Sequence, residues 1–120
     1  MQVDHIGIRV KNMALSKAFY ADVLGGELLE EVDLGDTQLA FFRCGTTTLE
    51  LVCKPVHSFV PNGVIQHIAF TVENLDAEMA RLQDAGVQFL STEPIPFREG
   101  QIIFFTGPDG ERLELCQKEA

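Results

Sequence analysis

Apolar and polar residues alternate along Val3 to Val10, and they alternate again along Val64 to Val72. A period of two is that of a half-buried strand. The two stretches also match each other. Asp4-His5-Ile6-Gly7-Ile8-Arg9-Val10-Lys11-Asn12 and Gln66-His67-Ile68-Ala69-Phe70-Thr71-Val72-Glu73-Asn74 share His, Ile, Val and Asn at a constant offset of 62 residues. Each ends in Asn directly before a helical spacing, where an N-cap belongs. After the first, Leu15, Ala18, Phe19 and Val23 predict a helix over Met13 to Leu24 with these residues as its apolar stripe. Gly25-Gly26 closes it. After the second, Asn74 or Asp76 caps a helix to Ala85 with Leu75, Met79 and Leu82 inward, closed by Gly86.

Three strands are predicted after the first helix: Glu27 to Leu34, Thr37 to Arg43 and Thr46 to Cys53, turned at Gly35-Asp36 and Gly45. Such short connections imply antiparallel hairpins. In the last of them Leu49 and Leu51 face one way and Thr48, Glu50 and Val52 the other. After the second helix the pattern predicts a strand at Val87 to Ser91 and a loop or irregular edge strand at Glu93 to Gly100 around Pro94 and Pro96. A strand at Gln101 to Thr106, a turn at Gly107-Pro108-Asp109-Gly110 and a final strand at Glu111 to Gln117 follow. Leu49-Glu50-Leu51 recurs as Leu113-Glu114-Leu115, an offset of 64. The chain therefore reads as an α+β fold of two tandem βαβββ units, about 1–55 and about 64–120, with a Pro-rich linker at about 55–63. Together they make a single domain over 1–120.

At 120 residues the chain is long enough for one buried core, and 46% apolar residues is a globular composition. No run is long enough to span a bilayer, and the start has no basic region followed by an apolar run, so neither a membrane partner nor a signal peptide is expected. Cys44, Cys53 and Cys116 are odd in number and lack CxxC spacing, which does not suggest a disulfide framework and favours small buried hydrophobes in a reducing cytoplasm over catalytic or metal thiols. A net charge of −9 argues against nucleic acid as a partner. Tyr20 reads as a packing residue and His57 as a solvated loop histidine.

The recurring polar residues on strands are His5 and His67, on the first strand of each unit, and Glu50 and Glu114, on the last. Taken singly, each is an ordinary strand residue. Jointly, two imidazoles and two carboxylates kept at equivalent places in both copies form a ligand set for a divalent metal with open positions. They meet only if first and last strands are neighbours. Arg9 shares the face of His5 and suits either a substrate carboxylate or phosphate, or a rim ion pair. Strand alternation points Asp4 away from His5.

The chain resembles the vicinal oxygen chelate superfamily, also called the glyoxalase/bleomycin-resistance/dioxygenase superfamily. The motifs are Asp4-His5-Ile6-Gly7-Ile8, Ala18-Phe19-Tyr20 before Val23-Leu24-Gly25, Leu49-Glu50-Leu51, Gln66-His67-Ile68-Ala69-Phe70, and Gly107-Pro108-Asp109-Gly110 before Leu113-Glu114-Leu115. The resemblance implies that each unit curls a four-stranded mixed sheet, paired around a metal site, in one chain or between two chains of a homodimer. The set His5, Glu50, His67, Glu114 is similar to that of glyoxalase I, a lactoylglutathione lyase that isomerises the hemithioacetal of methylglyoxal and glutathione. Nickel, cobalt, zinc or manganese would be the cofactor, and Arg9 would bind the substrate. Lys54 stands where that enzyme tends to have Asn. The alternatives implied are methylmalonyl-CoA epimerase, whose second ligand is usually Gln where this chain has Glu50, and a metal-free small-molecule binding or resistance protein.

The two enzyme readings share one chemistry on a small thiol conjugate or acyl-CoA. A metal-stabilised enediolate or enolate forms when a carboxylate takes the proton beside a carbonyl. Without the metal, a Glu of pKa about 4.3 is far too weak a base for such a carbon acid. Glu114 and Glu50 are the candidate acid/base residues.

Overall fold

The computed structural model describes residues 2–55, 65, 67–97 and 99–118. His57, Val64 and Gln66 lie outside the described residues. The chain divides into two compact units, Met1–Pro61 and Asn62–Ala120. Each is a four-stranded mixed sheet with one helical segment, in the order βαβββ.

In unit 1, β1 (Ile6–Val10) leads into α1 (Met13–Ala18), and β2 (Glu27–Asp33), β3 (Gln38–Cys44) and β4 (Thr47–Cys53) follow, with sheet order β1-β4-β3-β2. The Asn12 side chain accepts from the Leu15 N–H at 3.0 Å and caps α1. The helix then widens into a π turn, Phe19–Val23, where the Leu24 N–H reaches back five residues to the Phe19 carbonyl. Gly25, at φ 73°, ends it. One sheet face carries Ile8, Val10, Ala40, Phe42, Leu49 and Leu51, all buried with Met13 and Tyr20. Cross-strand neighbours stack them: Leu51 lies between Ile8 and Ala40, and Leu49 between Ile6 and Phe42.

The inner face of α1 differs from the stripe expected. Leu15 is 56% exposed and Ala18 is exposed, and Phe19 and Val23 are only half-buried, whereas Met13, Ser16 and Tyr20 turn inward. That face follows an i, i+3, i+7 spacing. A serine and a tyrosine on it disguise it as polar.

Unit 2 repeats the plan with β5 (Ile68–Thr71), α2 (Leu75–Asp84), β6 (Ile95–Phe97), β7 (Gly100–Thr106) and β8 (Arg112–Lys118), in the order β5-β8-β7-β6. Asn74, not Asp76, is the cap, accepting from the Ala77 N–H at 3.0 Å. Gln117 Oε1 accepts from the Leu75 N–H at 2.6 Å and ties the helix start to β8. Leu75 and Leu82 are buried and Met79 half-buried, as their spacing predicts.

Residues 87–91 are not a strand. Phe89 alone bridges to Phe105, with the Leu90 N–H on the Phe104 carbonyl at 2.9 Å. The ladder on that edge of β7 resumes only at Ile95, opposite Ile102. Pro94 and Pro96 cannot donate to a ladder, so this edge is split into a bridge and a short strand. Among the described residues no helix is long and apolar enough to cross a membrane.

Two substitutions test the face of α1. Met13→Ala is expected to cost about 2–4 kcal/mol in urea unfolding, as truncation of a buried side chain does. Leu15→Ala should stay within about 1 kcal/mol. The reverse order would restore the predicted stripe.

Candidate active site: two His–Glu pairs

In each unit the first strand lies parallel to the last, hydrogen-bonded edge to edge. The register sets Gly7 opposite Glu50 and Ala69 opposite Glu114. A small residue there leaves room for the carboxylate. Even a Cβ built on Gly7 would sit 3.6 Å from Glu50 Oε1. The histidines stand two residues earlier, each directly before its strand. His5 Nε2 lies 3.9 Å from Glu50 Oε1, and His67 Nε2 lies 3.3 Å from Glu114 Oε1.

The two pairs differ in exposure. Both imidazoles are open, at 40% and 37% side-chain exposure, but Glu114 is more deeply placed than Glu50, at 9% against 18%. Each unit thus brings together the His and Glu expected from it. Among the described residues, no group of three or more His, Cys, Asp or Glu gathers. Arg9 is half-buried on β1, in register with Val52, on the Gly7 side of the strand. The three cysteines are free and half-buried, and burial pushes the Cys44 thiol up.

Asp4 corrects an expectation. Strand alternation points it away from His5, yet the His5 Nδ1–H donates to Asp4 Oδ2 at 2.8 Å. Strand β1 begins only at Ile6, so the period of two does not govern residues 4 and 5. The contact fixes the tautomer that leaves Nε2 as a lone-pair donor, the arrangement typical of metal-binding histidines. The hydrogen bond to Asp4 raises the His5 pKa above its ordinary 6.5, against a desolvation that lowers it, and the charges of Glu50 and Asp4 add to the rise.

Two phenylalanines were not anticipated. Phe41 is opposite Glu50 on β3, and Phe104 is opposite Glu114 on β7. The His5 and Phe41 rings meet edge to face, centroids 5.9 Å apart at 82°, and His67 and Phe104 do the same at 5.6 Å and 89°. Each histidine is therefore steered against its glutamate by an aromatic wall. The signal was present in the sequence: Phe41-Phe42 recurs as Phe104-Phe105 at an offset of 63, between those of the histidines and the glutamates. Unit 2 also sets a cation on its ring, with Arg112 Cζ 4.3 Å from the Phe104 ring centroid.

Two tandem βαβββ units, each placing a histidine directly before its first strand and beside a glutamate on its last, define a class of duplicated α+β proteins. The chain belongs to the glyoxalase/bleomycin resistance protein/dioxygenase superfamily, whose family model matches residues 2–115. Among its relatives are a probable lactoylglutathione lyase of Synechocystis, 33% identical over 94% of this chain and 92% of that one, and the metallothiol transferase FosB of Staphylococcus epidermidis, 34% identical over 94% and 81%. Among solved structures, glyoxalase I of Leishmania major superposes with a TM-score of 0.82 at 27% identity, covering 98% of this chain and 87% of that one.

The Asp4–His5 contact has a pH signature. In metal-free protein, His5 is expected to titrate above 6.5 by NMR and to shift down in Asp4→Asn. The pKa is raised in the folded state, so the stabilisation from this contact is complete below 6.5 and is lost as pH rises through the raised value. An unchanged His5 titration in Asp4→Asn would break the assignment.

Proposed function

We propose that the two His–Glu pairs hold one divalent metal ion through His5, Glu50, His67 and Glu114, drawn from one chain or from the two chains of a homodimer. We further propose that the protein is a lyase or isomerase of the glyoxalase I type acting on an α-oxo thiol hemithioacetal. The observation that carries this is the duplicated pairing of an open imidazole with a carboxylate, at 3.9 and 3.3 Å. The donor set fits such an ion. Nitrogen and oxygen ligands sharing a cation at about 2.0–2.2 Å lie roughly 3.0–3.5 Å apart. The His67–Glu114 pair is already at that spacing, and the His5–Glu50 pair, at 3.9 Å, lies slightly beyond it. Nickel, cobalt, zinc and manganese all suit a mixed nitrogen and oxygen set.

When bound, the metal would supply Lewis acidity to the substrate's oxygens. The remaining work falls to the chain. Glu114, the more sheltered carboxylate, would take the proton from the carbon bearing sulfur and return it to the neighbouring carbon. Glu50 is the second candidate for that transfer. Phe104 and Phe41 hold the imidazoles still. Arg9 is the candidate anchor for a substrate carboxylate.

The relative named as a lactoylglutathione lyase supports the reaction, and the metallothiol transferase supports a second reading, thiol transfer at the same metal. The epimerase reading rests on the sequence motifs alone. Purified protein loaded in turn with each metal should form thioester from methylglyoxal and glutathione. Absence of turnover with every metal, together with turnover of methylmalonyl-CoA, would transfer the assignment to the epimerase.

Metal analysis is expected to give one ion per chain, and His67→Ala or Glu50→Ala should lose most of it. Glu114→Gln should lower turnover by roughly 10²–10⁴-fold. Asp4→Ala, Phe41→Leu and Phe104→Leu should each weaken metal affinity by roughly tenfold without unfolding the protein, the usual cost of disturbing the surroundings of a ligand.

A further inference from the structure

The two His–Glu pairs are built alike but are not equally tight. His67 lies 3.3 Å from Glu114, and His5 lies 3.9 Å from Glu50. Glu114 also lines a cavity of about 530 Å³, so packing does not close that side of its pair. A difference between the units lies one pleat along the same strands.

There each unit sets an arginine across from a threonine, but on exchanged strands. In unit 1 Arg43 of β3 faces Thr48 of β4. In unit 2 Thr106 of β7 faces Arg112 of β8. The offsets, 63 from Arg43 to Thr106 and 64 from Thr48 to Arg112, are those of the phenylalanines and the glutamates. The exchange decides where the guanidinium goes. Arg43 turns to β2, where its Nε lies 3.6 Å from Glu27 Oε2. Arg112 stands on the Glu114 face of β8, diagonal to Phe104, a separation that a long side chain spans. Its Cζ lies 4.3 Å from the centre of that ring. Thr48, in the same place in unit 1, is too short to cover Phe41.

The ring is the contact that accounts for the placement of Arg112. It takes part in no ion pair with a described residue, although the chain has 18 acidic residues. Its buried Nε has no hydrogen-bond partner among the described residues. Leaving a buried donor unpaired is a cost, and the stack on Phe104 offsets it. Charge gives no reason for an arginine here, because a guanidinium beside a divalent cation is repelled by it.

We propose that Arg112 is a positioning residue. Stacked on Phe104, it clamps the ring that holds His67 against Glu114 and makes unit 2 the pre-organised half of the candidate metal site. Its effect on metal binding rests on the proposed function, whereas the clamp itself does not.

The test is NMR of the metal-free protein with labelled Phe and His side chains, followed by calorimetric titration with zinc. In Arg112→Met the Phe104 ring should flip faster and the His67 signals should shift, while Phe41 and His5 stay as they were. Zinc affinity should fall roughly tenfold, the usual scale for a residue supporting a ligand. The sign is decisive, because an Arg112 acting by charge alone would strengthen zinc binding when removed. Arg112→Lys keeps the charge without the planar stack and should fall between wild type and Arg112→Met. Exchanging Arg43→Thr with Thr48→Arg copies the unit 2 arrangement into unit 1, and should slow the Phe41 ring and shift His5. Unchanged Phe104 and His67 in Arg112→Met, tighter zinc binding by that variant, or a Phe41 ring indifferent to the exchange overturns the proposal. The two proposals fail separately. An unmoved His67 in Arg112→Met, with zinc held by the wild type, removes the clamp and keeps the metal site. A loosened His67 in a protein that binds none of zinc, nickel, cobalt or manganese does the opposite.

Discussion

The parallel pairing of first and last strand in each unit is the constraint on which the rest depends. Parallel neighbours need a long crossover, and here the helix and two hairpin strands supply it. The pairing is not local in sequence: Gly7 meets Glu50 across 43 residues, and Ala69 meets Glu114 across 45. A shift of one residue in either ladder would turn the glutamate to the opposite face, where Leu49, Leu51, Leu113 and Leu115 now pack. The hydrophobic core therefore fixes the carboxylate. Leucines on both sides of each glutamate are buried to within a few per cent, which leaves the residue between them no choice of face.

The two copies share a skeleton and differ in surroundings. Both use a small residue beside the glutamate, a phenylalanine across from it and a histidine packed on that ring. Unit 1 adds Asp4 to its histidine, whereas unit 2 adds Arg112 to its phenylalanine and a cavity beside its glutamate. Duplication explains the common part.

Much of this was legible without coordinates because duplication repeats the signal. Offsets of 62 and 64 residues singled out His5, His67, Glu50 and Glu114 from a background of ordinary polar strand residues. The capping asparagines and closing glycines were readable for a local reason, since a helix end must satisfy its own backbone groups. Where prediction and structure part, a rule was carried past its domain. Strand alternation does not reach Asp4, which precedes the strand. Apolar spacing in α1 followed the more hydrophobic residues, although Ser16 and Tyr20 are the ones turned inward. The strand expected at 87–91 lost its ladder to Ile95–Phe97 beyond Pro94.

The sequence by itself determined the two-unit plan, the order of elements and the residues that recur, because periodicity, caps and repeats are properties of neighbours along the chain. Only the tertiary structure decided that Asp4 holds His5 and that Phe41 and Phe104 wall the imidazoles. Apart from Asp4 and His5, which are adjacent but outside the strand rule, these groups meet through strand pairing. The register of a ladder is set by what the opposite face buries, and no short stretch of sequence contains that information.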